Sequence, residues 1–438
     1  MNINKFFTKC KESGVEPSEL SLSQSTSFSY QIFRGEINSY SLSTSGSISA
    51  RGIYNGKLGF CKTEKDDKNT IDFLLNSIKS SSQAIERKEE PIIFKGSEKY
   101  KKRNVYSKAL EAWDNADKIQ LGYKLEKACK EKSPLVSDVE VYYEESTSKF
   151  TLCNSYGLSL PSKSNYYFIG CNVYVNDGKE VKTFFELKLD NDPSKIDIED
   201  LATKAVNGAI SLLGGESPKT GTTKVVMNDD SVASLLSALL SNFSAEEIQK
   251  HTSALEGKLG QKVFSQKLTV SSEPLRKNIF YKYFDDEGVA TKNLKVIDKG
   301  VVTNFFYNLE TAKKDGVEST GNGSSSGSKM GISFGNICVK PGKLSEEQLF
   351  EKINNGLYII GLQGLHAGLN PKSGDFSLQA QGFFVKDGKK AGPLGLFTVT
   401  GNLFTLFNNI IAVGNNNKLL TNSFDVPSIA FKGLKIAA

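Results

Sequence analysis

The sequence predicts an α+β protein of two domains: an N-terminal α/β domain over residues 1–213, a linker at 214–221, and a C-terminal domain rich in antiparallel sheet over 222–438. Three observations carry this. Four short stretches share a hairpin chemistry: YNGK at 54–57, NDGK at 176–179, IDKG at 297–300 and KDGK at 386–389. Asn-Gly and Asp-Gly supply the positive φ angles that tight hairpins demand, so antiparallel sheet is expected in both halves. Helical stretches fall between the hairpins, and GGESPKTG at 214–221 interrupts any regular element. A chain of 438 residues is also too long for one ordinary core.

Taken in order, 71–85, 106–130 and 198–213 read as helices, the last opened by acidic residues and closed by Gly214-Gly215. Asp229 and Asp230 are placed to cap a helix over 231–243. Its Val232, Leu235, Leu236, Leu239, Leu240 and Phe243 recur at i, i+3, i+4 and i+7, the stripe of a helix with one buried face. STGNGSSSGSK at 319–329 has the composition of a mobile loop. It is not a phosphate-binding loop, because Ser328 separates Gly327 from Lys329. Phe376, Leu378 and Ala380 alternate with Ser377, Gln379 and Gln381, the period of a strand with one apolar face. The uncharged stretch 391–417 carries Asn402, Asn408 and Asn409 with several glycines, which suits a strand and then a helix in a soluble domain better than a membrane span.

Composition excludes several functions. Hydrophobic residues make up 38% and charged residues 24%, and the net charge of +6 is dispersed, so neither a membrane nor a nucleic-acid partner is implied. The basic run KYKKR at 99–103 reads as a solvated face. Six scattered cysteines without a Cys-x-x-Cys pair, and an N-terminus without an apolar signal core, point to reduced thiols in the cytoplasm. The two histidines, His251 and His366, are followed by Thr252 and Ala367, so no His-Glu metal motif can be written. A triad of His366, Asp375 and Ser377 is disfavoured, since Ser377 and Asp375 share one face of a strand and the Gly-x-Ser-x-Gly elbow is missing around them. His366, in a glycine-rich turn, reads as a hydrogen-bonded structural residue.

Four blocks nevertheless fall in a recognisable order: FDDEGVATKNLKVIDKGVV at 284–302, TAKKDGVESTGNG at 311–323, GLHAGLNPKSGDFSLQAQGFFVKDGKK at 364–390 and GNLFTLFNNIIAVGNN at 401–416. With YSLSTSGSISARGIYNGKLGFCKT at 40–63, they resemble the TldD/PmbA family, cytoplasmic proteins of bacteria and archaea also called modulators of DNA gyrase. The resemblance implies a two-domain fold and a zinc-dependent peptidase built from two related chains. TldD-like chains carry His-Glu-x-x-x-His on a helix of the second domain and a late cysteine; PmbA/TldE-like chains lack them. Carried onto this sequence, those positions hold Ser237, Ala238, Asn242 and, near the cysteine, Asp425. The resemblance therefore implies a non-catalytic subunit with no metal of its own, zinc in a TldD-like partner, and unfolded peptides or peptide precursors as substrate. The alternative is a homodimeric protein-binding module of the gyrase-modulator type, with no peptidase role.

Two expectations concern surfaces. Asn322 and Gly323 in the glycine-serine loop are expected to border one cleft with His366, Asp375, Phe376 and Ser377, facing substrate or partner. The strand 375–385 would offer its edge to an extended peptide. Association is expected through the second domain.

Overall fold

Serine at every second position builds the first sheet. In the strand β1 (Ser18–Phe33), Ser21, Ser23, Ser25, Ser27 and Ser29 fall on one face, and in β2 (Glu36–Tyr54) the serines from 39 to 49 do the same. The antiparallel register sets Ser21 opposite Ser49, Ser25 opposite Ser45 and Ser27 opposite Ser43. The Oγ atoms of Ser27 and Ser43 lie 2.8 Å apart. The strands β3 (Lys57–Thr63), β4 (Val136–Asn154), β5 (Ser159–Asn176) and β6 (Val181–Asp190) complete a six-stranded sheet of order β3-β2-β1-β4-β5-β6. The computed structural model describes residues 1–84, 90–327 and 329–437.

The opposite face of the sheet is apolar where it is covered. Tyr30 and Ile32 pair with Tyr143 and Val141, and this face packs on two helices. After α1 (Ile3–Glu12) and α2 (Thr70–Ala84), the covering helices are α4 (Asn115–Lys132), preceded by the short α3 (Lys108–Ala112), and α5 (Ile198–Ile210). The continuous helix expected over 106–130 is broken because Asp114 leaves helical geometry to accept the Ala116 N–H at 2.7 Å, capping a new helix. The helix expected over 71–85 is α2; Ile85 lies outside the described residues. The third expected helix stops at Ile210, three residues short of Leu213.

All four hairpin turns form, joining β2 to β3, β5 to β6, Leu294–Asp298 to Val301–Val302, and Asp375–Lys386 to Lys389–Pro393. At the first, Asn55 and Gly56 have φ angles of 49° and 74°, the paired positive values of a two-residue hairpin.

The C-terminal half contains a sheet that closes on itself. Gly356–Gln363 pairs in parallel with Gly221–Met227, which pairs with Ile429–Ala437, then Phe397–Asn402, then Asp375–Lys386, which returns to Gly356–Gln363. The helix α6 (Asp229–Leu240) follows the strand Gly221–Met227, and its buried stripe shares one core with the ring. The stretch 391–417 is the end of one strand, the strand Phe397–Asn402, the helix Leu403–Asn408 and the strand Ile410–Val413. Among the described residues no helix is long and apolar enough to cross a membrane.

The glycine-serine loop is where composition misled. Gly323–Ser326 pairs antiparallel with Lys329–Ile332, with Gly327 at the turn; Ser328 lies outside the described residues. Two carboxylates hold this hairpin: Asp285 Oδ2 accepts the Gly323 N–H at 2.7 Å and Asp286 Oδ2 the Ser325 N–H at 3.0 Å. Distant acids supply the ordering that local apolar area could not.

Candidate functional site

The resemblance directs attention to four positions, Ser237, Ala238, Asn242 and Asp425. Asn228, one residue ahead of the expected caps, N-caps α6 by accepting the Ser231 N–H at 3.0 Å, while Asp229 and Asp230 occupy the first turn. Ser237 and Ala238 lie half-buried on the helix. Asn242 lies beyond its α-helical part, in a 3₁₀ turn at Ser241–Phe243, because the helix ends at Leu240. Its buried amide donates to the Pro371 carbonyl at 2.6 Å and accepts the Ala254 N–H at 3.2 Å, so it works as a structural clamp. Asp425 is elsewhere engaged. Phe424 and Val426 belong to the core that α6 shares, so the residue between them points to the other face of the strand. There Asp425 pairs with Arg276, whose guanidinium also donates to Cys338 Sγ at 2.9 Å. Cys338 is the strand neighbour of Asp425, and burial pushes its thiol up to about 11.

These residues do not fit a zinc ion. Serine and alanine carry no strong ligand, the Asn242 amide is consumed, and Asp425 already has a cation. Among the described residues no group of three or more His, Cys, Asp and Glu side chains is placed to hold a metal.

The expected single cleft divides in two. Asn322 and Gly323 line a cavity of about 440 Å³ where the serine face of the first sheet, at Ser23, Ser148 and Ser164, meets the C-terminal half. His366, Asp375, Phe376 and Ser377 are not in its lining. His366 is exposed on the short helix Leu365–Gly368, so it is not the tethered residue its glycine-rich surroundings suggested. Asp375 is exposed and accepts from Asn402 Nδ2 at 2.9 Å, which holds its carboxyl below the usual range; Phe376 is buried and Ser377 exposed. Nor is this strand a free edge. Its residues 375–380 pair with Phe397–Asn402 and 379–385 with Gly356–Gln363, leaving little main chain for a peptide. What does meet this region is the clamp from Asn242 to Pro371.

Asp285, in the wall of the 440 Å³ cavity, belongs to a buried charged cluster whose members no single sequence motif brings together. Glu19 on β1 faces Arg51 on β2, with Arg51 Nε and Nη2 at 2.8 and 2.5 Å from Glu19 Oε1. From the C-terminal half come Asp285 and Glu287, 1% and 5% exposed. Asp285 Oδ1 accepts the Glu287 and Val289 N–H groups at 3.0 and 2.9 Å, and Glu287 Oε2 accepts the Leu309 N–H at 2.8 Å. Gly323 is glycine because a Cβ there would sit 2.5 Å from Glu287 Oε2. Three buried acids thus share one partly buried base, Arg51, across the two halves.

Burial, and then the Asp285 charge, push Glu287 up to about 8; burial pushes Asp285 up to about 6 despite its N–H donors. A raised carboxyl holds a proton in the folded chain that the unfolded chain releases. Its stabilising contribution is complete below the ordinary carboxyl range near ~4 and is lost as pH rises through about 8. Glu287→Gln is expected to flatten most of this decline. In thermal melts the variant should match the wild type near pH 5 and exceed it by a few degrees near pH 8.5; an unchanged pH profile would assign the dependence elsewhere.

A second cavity, about 580 Å³, opens at the start of α6 and is lined by Asp229, Asp230, Glu186, Glu346 and Lys418. Burial and the neighbouring Asp230 push Asp229 up to about 6, and Lys418 pairs with Glu186 at 3.3 Å. Sequence reasoning saw these aspartates only as caps.

Comparison with known proteins agrees with this architecture. The chain matches the PmbA/TldA metallopeptidase family in three consecutive segments: domain 1 over residues 18–86, the central domain over 108–213 and the C-terminal domain over 220–438. It is 27% identical to an uncharacterized protein of Methanocaldococcus jannaschii, covering 99% of both chains. It is 28% identical to the metalloprotease PmbA of Escherichia coli O157:H7 over 52% of this chain and 48% of that one. A solved structure from Thermotoga maritima, named for modulation of a DNA gyrase, superposes with a TM-score of 0.92 at 28% identity over 99% of each chain. TldE from Thermococcus kodakarensis shares the fold, with a TM-score of 0.92 at 23% identity over the whole of both chains. The chain belongs to the TldD/PmbA metallopeptidase family.

Proposed function

We propose that this chain is the PmbA/TldE-like, non-catalytic subunit of a cytoplasmic zinc metalloprotease that acts on unfolded peptides or peptide precursors. A TldD-like partner holds the metal. The observation that carries this is Asn242, which by the family resemblance stands in for a histidine of the catalytic branch: its amide is spent on Pro371 and Ala254. Hydrolysis by zinc needs nitrogen, sulfur or carboxylate ligands and a base to take a proton from bound water. Here Ser237 and Ala238 supply neither, and Asp425 serves Arg276. What this chain contributes is surface. The 440 Å³ cavity presents serine hydroxyls and aromatic rings, among them Tyr166 and Phe280, groups that bind extended peptide without selecting its sequence.

Co-expression with a TldD-like chain tests the proposal. Alone, the purified protein is expected to carry no stoichiometric zinc by elemental analysis and to cleave no unfolded peptide. Together, the two chains are expected to co-purify, bind zinc and cleave. One tight zinc per chain in the isolated protein, or cleavage by it alone, would make this chain the enzyme. Failure to co-purify would favour the gyrase-modulator type of binding module.

A further inference from the structure

Residues 90–107 form neither helix nor strand, yet they are tied down at several points. Asn154 Nδ2 donates to the Phe94 carbonyl at 2.6 Å, the Ala290 N–H to Ser97 Oγ at 3.0 Å, and Tyr100 OH to the Gly288 carbonyl at 2.6 Å. Tyr281 OH donates to the Lys101 carbonyl. The segment is thus a strap from the first sheet onto residues 281–290, the stretch that supplies Tyr281, Tyr283 and Asp285 to the wall of the 440 Å³ cavity. Its basic run stands beside that wall. Lys99, Lys101, Lys102 and Arg103 are exposed, and none forms an ion pair with a described residue; the Arg103 guanidinium lies 5.9 Å from the centre of the Tyr281 ring. Glu98 is the single acid between Lys95 and Arg103. Four uncompensated cations in five residues leave a positive field next to the cavity. Within the cavity charge is already balanced: Lys282 pairs with Asp286 at 2.9 Å, and Asp285 accepts the Gly323, Glu287 and Val289 N–H groups. Among the described residues no other charged side chain lines it.

We propose that the strap selects acidic polypeptide: a stretch rich in aspartate and glutamate docks on Lys99, Lys101, Lys102 and Arg103, and the uncharged chain beside it enters the cavity. This names a substrate class for the peptide-binding reading of that cavity and rests on it. The two surfaces divide the work. Serine hydroxyls and aromatic rings inside cannot choose between peptides by charge, whereas unpaired cations outside can, and they also speed encounter with an oppositely charged chain. A nucleic acid fits less well. Its phosphates would run from the strap onto the wall that carries Asp285 and Asp286, where an uncharged peptide segment meets no like charge. The ring that Arg103 covers is itself cavity wall, so a chain bound along the strap is delivered to the cavity without a gap between the two sites.

Fluorescence anisotropy of the full chain tests it, with labelled peptides that share one uncharged core and carry a flank of glutamates, a flank of lysines, or none. The glutamate-flanked peptide is expected to bind roughly tenfold or more tighter than the lysine-flanked one at low salt, and the difference to collapse at about 0.5 M salt. The triple variant Lys99→Glu, Lys101→Glu, Lys102→Glu, which leaves Arg103 on its ring, should invert the order. A gain for the lysine-flanked peptide could not come from misfolding. Equal binding of the peptides, or an order that the triple variant does not move, would overturn the proposal and leave the peptide reading standing. So would a duplex oligonucleotide that binds through the same lysines more tightly than the acidic peptide. If none of the peptides binds, with or without a TldD-like chain, the proposal and the peptide reading fall together.

Discussion

Arg51→Met is expected to destabilise the protein by about 3–5 kcal/mol, the cost of leaving buried carboxylates without their cation. The Arg51 and Glu19 side chains are 13% and 5% exposed, so solvent screens the pair little. Burial opposes the charge on Arg51, while Glu19 first, then Glu287 and Asp285, hold it. Glu19 Oε2 is buried without a hydrogen-bond partner, so nothing else compensates it when the guanidinium is removed. The loss spans both halves of the chain, because Glu19 and Arg51 sit on the first sheet while Asp285 and Glu287 belong to the segment that holds the Gly323 hairpin. The double variant Glu19→Leu, Arg51→Met should recover much of the stability, since a well-packed apolar pair replaces the buried ions. Urea melts of the two single variants and the double variant decide this. Arg51→Met within 1 kcal/mol of wild type, or no recovery in the double variant, would show that the Glu19–Arg51 pair is not what the cluster's stability depends on.

That cluster also shows where sequence reading reached its limit. Asp285-Asp286-Glu287-Gly288 was visible as a block of family resemblance, but nothing nearby reveals that its partners are Glu19 and Arg51. A faint signal existed: Glu19 between Ser18 and Leu20, and Arg51 between Ala50 and Gly52, are charges set between buried neighbours in their strands. Such residues are buried with partners or not buried at all. The glycine-serine hairpin failed for the same reason. Its composition describes a loop, and two distant carboxylates make it a strand pair.

Local chemistry was legible where it decides structure locally. The hairpins follow from Asn-Gly, Asp-Gly and Lys-Gly turns; 55–56, 299–300 and 387–388 have paired positive φ angles, while at 177–178 only Gly178 does. The long β1–β2 hairpin was harder. Serine is a weak strand former, and only its strict alternation, spaced by Leu20, Leu22, Phe28 and Tyr30, marks the pleat. The break between α3 and α4 was written in Asp114, a capping residue inside a helical pattern. The closed ring of the C-terminal half depends on the order in which distant strands pair, which no local pattern encodes. It also removes the edge that residues 375–385 had been expected to offer.

The helix α6 separates stability from chemistry within one element. Val232, Leu235, Leu236, Leu239 and Leu240 are completely buried, while Ser237 and Ala238 between them are only half-buried. Leu239→Ala is expected to cost about 2–5 kcal/mol, because the core that α6 shares with the strand ring cannot collapse freely onto the vacated volume. Ser237→Ala, two residues away, should stay within roughly 0.5 kcal/mol, since it has no partner chemistry to lose. Both are read from the denaturant midpoint at unchanged slope. If Leu239→Ala proved neutral, the core face of the helix would be wrongly placed; if Ser237→Ala were as costly, the motif position would have acquired a structural role like that of Asn242. The contrast matters because it separates the face of the helix that the fold needs from the face it does not. Here the apolar face still ties α6 to the ring, and Asn242 still ties its end to Pro371. Packing and the Asn242 clamp therefore fix the place of α6 in the fold without any contribution from the Ser237 hydroxyl.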